Sequence, residues 1–283
     1  MVQFGGSWTK EKLEILRLYL DAYTTALKHS GFKLVYVDAF AGEGTWQSSS
    51  RVLYTDDDYG EFKELHAGSP RIAIGIRDKP FDKFVFIESD ADRCRSLEAL
   101  RFENPDRDIN IRNGDANLEL TSFCHNMSDF DRAVVFLDPF ATEVSWDTVE
   151  KLAQTAKVDC WILFPVSAIA RMMPRDNEPS MPLSMQLDRI FGGREHWHEA
   201  LYHLPNQMSF FKENVDKERD PGSDQIARCY RKRLEKVFYK VSRTSRKLIN
   251  SKNSPMFELF FAVSNPQGSS VAVPIADHIL KNW

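Results

Sequence analysis

Cysteine is scarce and scattered in this 283-residue chain: Cys94, Cys124, Cys160 and Cys229 stand far apart, with no CxxC pair. That spacing excludes a disulfide framework and a zinc knuckle, and the four read as buried thiols. Long apolar runs are missing too. The most apolar stretch, "CWILFPVSAIA" from Cys160, is far too short to span a bilayer. The opening "MVQFGGSWTKEK" lacks the apolar segment of a signal peptide, so a cytoplasmic location is expected and no membrane partner. His196, His198 and His203 do not complete a metal site. Residues i and i+2 of a helix do not share a face, and no cysteine or carboxylate trio stands near them. Two nucleotide signatures are also absent. Gly42 and Gly44 are followed by Gln47, so there is no G-x-G-x-x-G, and no G-x-x-x-x-G-K-[ST] loop occurs. Neither an internal repeat nor a low-complexity tract is present.

What is present has the balance of a globular chain able to bury a large core, with 42% hydrophobic and 28% charged residues. The net charge of −4 hides an asymmetry. Between Arg228 and Lys252 ten Lys/Arg stand against the single acid Glu235, a local charge of +9 that leaves −13 for the rest. Such a block fits a polyanion, through Arg231, Lys232, Arg243, Arg246 and Lys247, or equally a solvated face.

Hydrophobic periodicity predicts a first helix through Leu13, Leu16, Leu20, Tyr23 and Leu27, with Thr9 as N-cap and Gly31 as stop. Strand-like runs follow: "FKLVYVDAF", "KFVFIE" (83–88), "INIRNGD" (109–115), "AVVFLD" (133–138) and "VDCWILF" (158–164). Helix-like runs separate them, the pattern of a mostly parallel, doubly wound sheet. The helix after Gly44 is delayed to "GSPRIAI", with Ser69 as N-cap and Pro70 as first helical residue, which makes 45–67 an inserted loop. Residues 166–237 read as a helical insertion, and 238–283 as an antiparallel hairpin and closing helix. A single domain over 1–283 is expected, with 1–31 as its N-terminal helix.

Four consecutive strand ends carry an acid: Asp38 in "DAFAGEG", Glu88 in "FIESD", Asp115 in "NGDAN" and Asp138 in "DPF". In an open parallel sheet the ligand crevice lies beyond those ends. A pyrophosphate would be repelled there, whereas a ligand with a ribose, an adenine, an ammonium and a sulfonium would be attracted. Glu88 suits two ribose hydroxyls and Asp115 an adenine amine. For both, the alternative is capping of the following helix. For Phe140 the alternative is core packing.

This order of motifs resembles the class I S-adenosylmethionine-dependent methyltransferases. "DAFAGEG" is similar to the D-x-F-A-G-x-G loop of several nucleic-acid methyltransferases. More narrowly, "W-T-x-x-K-L-x-I-L-x-x-Y-L", "Y-x-D-A-F-A-G", "G-S-P-x-I-A", "F-I-E", "D-P-F", "W-I-L-F-P" and "A-x-x-R-M" together resemble the three-Cys-motif partner family, over nearly the whole chain. The resemblance implies a Rossmann-like fold with S-adenosyl-L-methionine as cofactor. It places Asp38, Ala39, Phe40, Ala41, Gly42 and Gly44 along the amino acid moiety, Glu88 on the ribose, and Asp115 and Ala116 at the adenine. Asp138, Pro139 and Phe140 would then face the methyl acceptor. "DPF" is similar to the D-P-P-[YF] motif of enzymes that methylate exocyclic base amines, one proline short. The implied activity is methyl transfer to a base nitrogen of RNA or DNA. The rivals are a partner subunit with little catalysis, bound to a three-Cys-motif protein, and methyl transfer to a small molecule or protein.

Overall fold

Alternating strands and helices build an eight-stranded sheet in the order β3-β2-β1-β4-β5-β8-β6, with β7 also paired to β8. The computed structural model describes residues 7–44, 68–174, 178–202 and 222–283. The loop expected at 45–67 and the middle of the expected insertion lie outside them. Strands β1 (Lys33–Asp38), β2 (Lys83–Glu88), β3 (Ile109–Asn113), β4 (Asp131–Leu137) and β5 (Val158–Phe164) are parallel. Strand β8 (Pro255–Val263) runs antiparallel beside β5, and pairs on its other edge with β6 (Lys240–Val241) and β7 (Arg246–Ile249). The expected closing hairpin is therefore present, with its first arm broken at 242–245. There the Thr244 amide donates to Asp277 instead of continuing the ladder, and Ser242 Oγ donates to the same carboxylate.

Alternation along each strand sorts the core into two layers. Val35, Val37, Val85, Val135 and Ile162 face one side, under α4 (Ala116–His125), α5 (Trp146–Gln154), α6 (Val166–Met172), α7 (Met181–Phe191) and α9 (Ser223–Val237). A single short helix, α8 (His198–Leu201), adds Leu201 to that layer. Leu34, Tyr36, Phe84, Phe86, Phe136 and Trp161 face the other side, under α1 (Ser7–Ala26), α2 (Ser69–Ile74), α3 (Ala91–Glu103) and α10 (Ser269–Lys281). Two helix starts differ from the sequence expectation. Helix α1 begins at Ser7, so Thr9 lies inside it, and α2 takes Gly68 as its N-cap, which moves Ser69 into the first turn.

The chain leaves β1 toward β2 and β3, then returns to β4 on the other side. The switch in direction lies between β1 and β4, where a doubly wound sheet opens its ligand crevice. Asp38 ends β1 at this point, in register with Phe86 on β2 and Phe136 on β4. Glu88 and Asp138 therefore stand two residues further out on either side.

Candidate functional site

Parity decides where the acids point. Tyr36, Phe86 and Phe136 face the α1/α2 side, and Asp38, Glu88 and Asp138 each follow one of them by two residues. Asp38 is fully buried. It accepts from the Tyr36 hydroxyl at 3.1 Å and the Phe40 amide at 3.4 Å, and Ser69 of α2 adds a side-chain bond. Burial pushes its carboxyl up to about 7 against those bonds, and the nearby Asp138 charge pushes the same way. A buried carboxyl with neutral donors around it and no ion pair to a described cation fits a cationic ligand group.

The loop that follows is stitched across the crevice. Ala39 donates its amide to Phe136 at 3.1 Å and Ala41 to Ile87 at 3.0 Å. Gly42 and Gly44 both hold positive φ, +62° and +69°. A Cβ on Gly44 would come within 3.2 Å of Leu100 on α3, whereas one on Gly42 would meet no described residue within 4 Å. Among the described residues the backbone at Gly42 is thus uncovered, while Gly44 fits the loop to its helix. Phe40 turns to the opposite core layer.

Glu88 does not cap α3; Asp90 does, through the Asp92 and Arg93 amides. The Glu88 carboxylate, buried, instead takes the Gly42 amide on Oε2 and the Asp90 amide on Oε1, both at 2.9 Å. It is held beside the glycine loop with lone pairs to spare, since each carboxylate oxygen accepts two hydrogen bonds. Asp115 behaves otherwise. Its Oδ1 caps α4 by accepting from Asn117 at 2.9 Å and Leu118 at 3.1 Å, so the capping alternative holds for that oxygen. Oδ2 has no hydrogen bond to a described residue, which leaves it available to an amine. Ala116 is buried directly behind.

Asp138 carries a partner that sequence reasoning missed. Lys12 of α1, only 3% exposed, donates to Asp138 Oδ2 at 2.5 Å. A signal for it exists: Lys12, Leu16, Tyr19 and Tyr23 repeat at helical spacing, which puts a lysine in line with the buried stripe. Trp8, one turn earlier, packs at a tilt against Phe257 with centroids 5.0 Å apart and seats the helix start over β8. Pro139 is buried, while Phe140 is 60% exposed, so core packing does not explain its ring. The loop under that ring is pinned from two helices. Asn117 of α4 bonds Glu143 O and the Ser145 amide, and Gln186 and Arg189 of α7 reach Thr142 O and Glu143 O.

The five cations expected to hold phosphate do not form one free patch. Arg231 pairs with Glu235 and donates to Ser242 O, Arg246 pairs with Glu11 of α1, and Lys247 meets Asp224 at 2.6 Å. Lys232 and Arg243 are exposed, with no hydrogen bond or ion pair to a described residue. The block also spans the sheet. Lys247 lies opposite Glu258, at the carboxyl end of β5, while Lys240 lies opposite Val263 at its amino end. Among the described residues no group of His, Cys, Asp or Glu could hold a metal ion. No described helix is long and apolar enough to cross a membrane.

No family model matches the chain, and no curated protein matches it by sequence. Solved structures do match. A Legionella pneumophila protein, LPL1258, of the DUF519 family aligns over 95% of this chain and 89% of its own, at 12% identity and a TM-score of 0.53. The methyltransferase domain of bacterial CtHen1 aligns over 88% of this chain and 99% of its own at 11% identity, with a TM-score of 0.39. WbdD, a bifunctional kinase-methyltransferase, aligns over 90% of this chain and 40% of its own at 12% identity, with a TM-score of 0.43. At such identities the likeness is one of fold, and of these three the first alone is close enough to bear on it. Strand order and the antiparallel strand beside β5 are those of a Rossmann-like class I methyltransferase fold.

Proposed function

We propose that the chain is an S-adenosyl-L-methionine-dependent methyltransferase acting on a nitrogen of a nucleic-acid base. The observation that carries this reading is the set of acids at the switch point. Asp38 is buried without an ion pair to a described cation, Glu88 is fixed on the Gly42 amide, and Asp115 keeps an oxygen over α4. Asp38 receives the ammonium of the amino acid end, Glu88 the ribose hydroxyls and Asp115 Oδ2 the adenine amine. Among the described residues nothing covers the Gly42 backbone, so a ligand can lie against it. When bound, the cofactor supplies the methyl group; the chain's own task is positioning.

Asp138 and Phe140 serve the acceptor side. Lys12 fixes Asp138 through Oδ2, and Oδ1 remains to accept a hydrogen from a target amine, which aims the nitrogen lone pair. The exposed Phe140 ring offers a stacking face to a base. Support for a nucleic acid is Phe140 together with Lys232 and Arg243, the two of the five cations with no described partner.

A second reading has its own observation. With one oxygen of Asp138 held by a buried lysine, the pair can equally anchor α1, as in a fold retained for binding a three-Cys-motif partner protein. The motif resemblance to that partner family favours this alternative. Calorimetry with S-adenosyl-L-methionine, then radiolabelled methyl transfer to bulk tRNA, rRNA and DNA, separates the two. Among active preparations, Asp138→Asn should keep partial turnover and Asp138→Ala should lose about a hundredfold, because an amide oxygen still accepts a hydrogen bond. Equal turnover in all three removes Asp138 from the mechanism, and cofactor binding without transfer to any nucleic acid favours the partner subunit.

A further inference from the structure

Lys12 raises a question the proposed activity does not answer. Two carboxyls, Asp38 and Asp138, flank one crevice closely enough for one charge to act on the other, yet among the described residues a single buried cation serves them. Lys12 is committed to Asp138. The groups facing Asp38 are the Tyr36 hydroxyl from β1, the Ser69 hydroxyl from α2, the Phe40 amide and the Asp138 carboxylate; Glu88 of β2 is turned to Gly42 and Asp90. None of these supplies a positive charge.

We infer that Lys12 is a positioning residue that partitions the two carboxyls, serving as the counter-ion of Asp138 and leaving Asp38 to take the ligand's own cation as its partner. This rests on the cofactor reading above. Binding of a cationic amino acid ligand then converts the Asp38 carboxyl to carboxylate and passes its proton to the solvent. The ligand's ammonium takes the place of the missing counter-ion. The crevice thereby selects for positive charge at Asp38, because a neutral or anionic ligand cannot offset the cost of ionising a fully buried acid. Burial already holds that carboxyl up at about 7. Its proton is therefore present in the empty site under mildly acid conditions.

The test is calorimetric titration of the full chain with S-adenosyl-L-methionine, in pairs of buffers that differ in ionisation enthalpy. At about pH 6 the wild type should release most of one proton on binding, with affinity rising up to tenfold per pH unit toward about pH 7. Asp38→Asn should release none. In Lys12→Met the unpaired Asp138 charge should move the affinity–pH midpoint up by roughly one unit or more, and Lys12→Arg should restore it. A merely structural lysine would lower stability without moving that midpoint. Should Lys12→Met fail to fold, the double variant Lys12→Met/Asp138→Asn removes both charges and should keep the wild-type midpoint. Binding without proton release in the wild type, or a Lys12→Met profile that overlays it, overturns the inference while leaving the cofactor reading intact. No binding in any buffer overturns the cofactor reading, and the inference falls with it.

Discussion

Replacing Asp38 by asparagine should make the protein more stable at neutral pH while weakening, without abolishing, its binding of a cationic ligand. The folded carboxyl is pushed up to about 7 by burial, whereas a solvated Asp titrates near about 3.9. Between these values the folded state holds a proton that the unfolded state has lost, so stability is greatest below the lower value and declines as pH rises through the higher. About three units at roughly 1.4 kcal/mol each give a decline on the order of 4 kcal/mol, complete by about pH 8. An asparagine keeps the shape and carries no charge. The Phe40 amide can still donate to its oxygen, and the Tyr36 and Ser69 hydroxyls can turn to accept from its amide. Urea unfolding of both proteins from about pH 4 to about pH 8 measures the effect, as a difference that opens from near zero and levels off. Parallel curves over that range would falsify the burial argument, and with it the view that Asp38 waits for a cation.

Asp159 provides a control, since it too is fully buried and held up at about 7, bonded to the Tyr19 hydroxyl at 2.6 Å, but at the opposite end of the sheet. Asp159→Asn should show a similar pH-dependent gain in urea unfolding with cofactor affinity unchanged, and a loss of affinity would displace the site from the carboxyl ends. Glu88→Ala should weaken S-adenosyl-L-methionine binding about ten- to a hundredfold, because hydrogen bonds to a charged acceptor are worth roughly 1.5–3 kcal/mol. Unchanged calorimetric affinity in folded protein would dismiss Glu88 as the ribose acceptor. Phe140→Ala, at an exposed position, should leave thermal stability within about 0.5 kcal/mol of wild type yet lower methyl transfer to nucleic acid. If nucleic acid binds along the block, Lys232→Ala with Arg243→Ala should flatten its log–log salt slope by up to about two units, whereas an unchanged slope makes both a solvated face.

Much of the fold was legible because a parallel strand buried on both faces announces itself as a short apolar run between helix-like segments. Strands 83–88 and 158–164 fall on their expected bounds, and the hairpin that closes the sheet lies where alternation placed it. Its break at 242–245 was not legible, since it depends on Asp277, a partner over thirty residues away. Capping was ambiguous for a similar reason: an acid at a strand end and an acid at a helix start are the same residue in one dimension. Geometry separates Glu88, whose capping duty passes to Asp90, from Asp115, which caps α4 through Oδ1 and keeps Oδ2 without a hydrogen bond to a described residue. The basic block was legible as charge but not as pairing, because Glu11 and Asp224 sit far away in sequence from the Arg246 and Lys247 they neutralise.

Lys12 shows why the proposed acceptor side was the harder half to read. The proposed cofactor side is built from strand ends and the turns that follow them, so its residues stand in motifs of fixed spacing. The proposed acceptor side is assembled across the sequence: Lys12 meets Asp138 over 126 positions, and Gln186 meets Thr142 over 44. Period-two parity alone would have sent Asp138 to the α1/α2 face, and period-3.6 spacing alone would have buried Lys12. Taken together they bring a lysine and an aspartate to one place, since α1 covers the face to which β4 directs its even-numbered residues. A buried lysine there needs an anion, because an unpaired buried ammonium costs several kcal/mol. Among the three acids that parity sends to that face, Asp38 ends level with the sheet while Asp138 extends two residues beyond it, toward the first turns of α1. The ion pair is therefore a consequence of two periodicities and one register, and Asp38 is left facing the crevice with no described cation beside it.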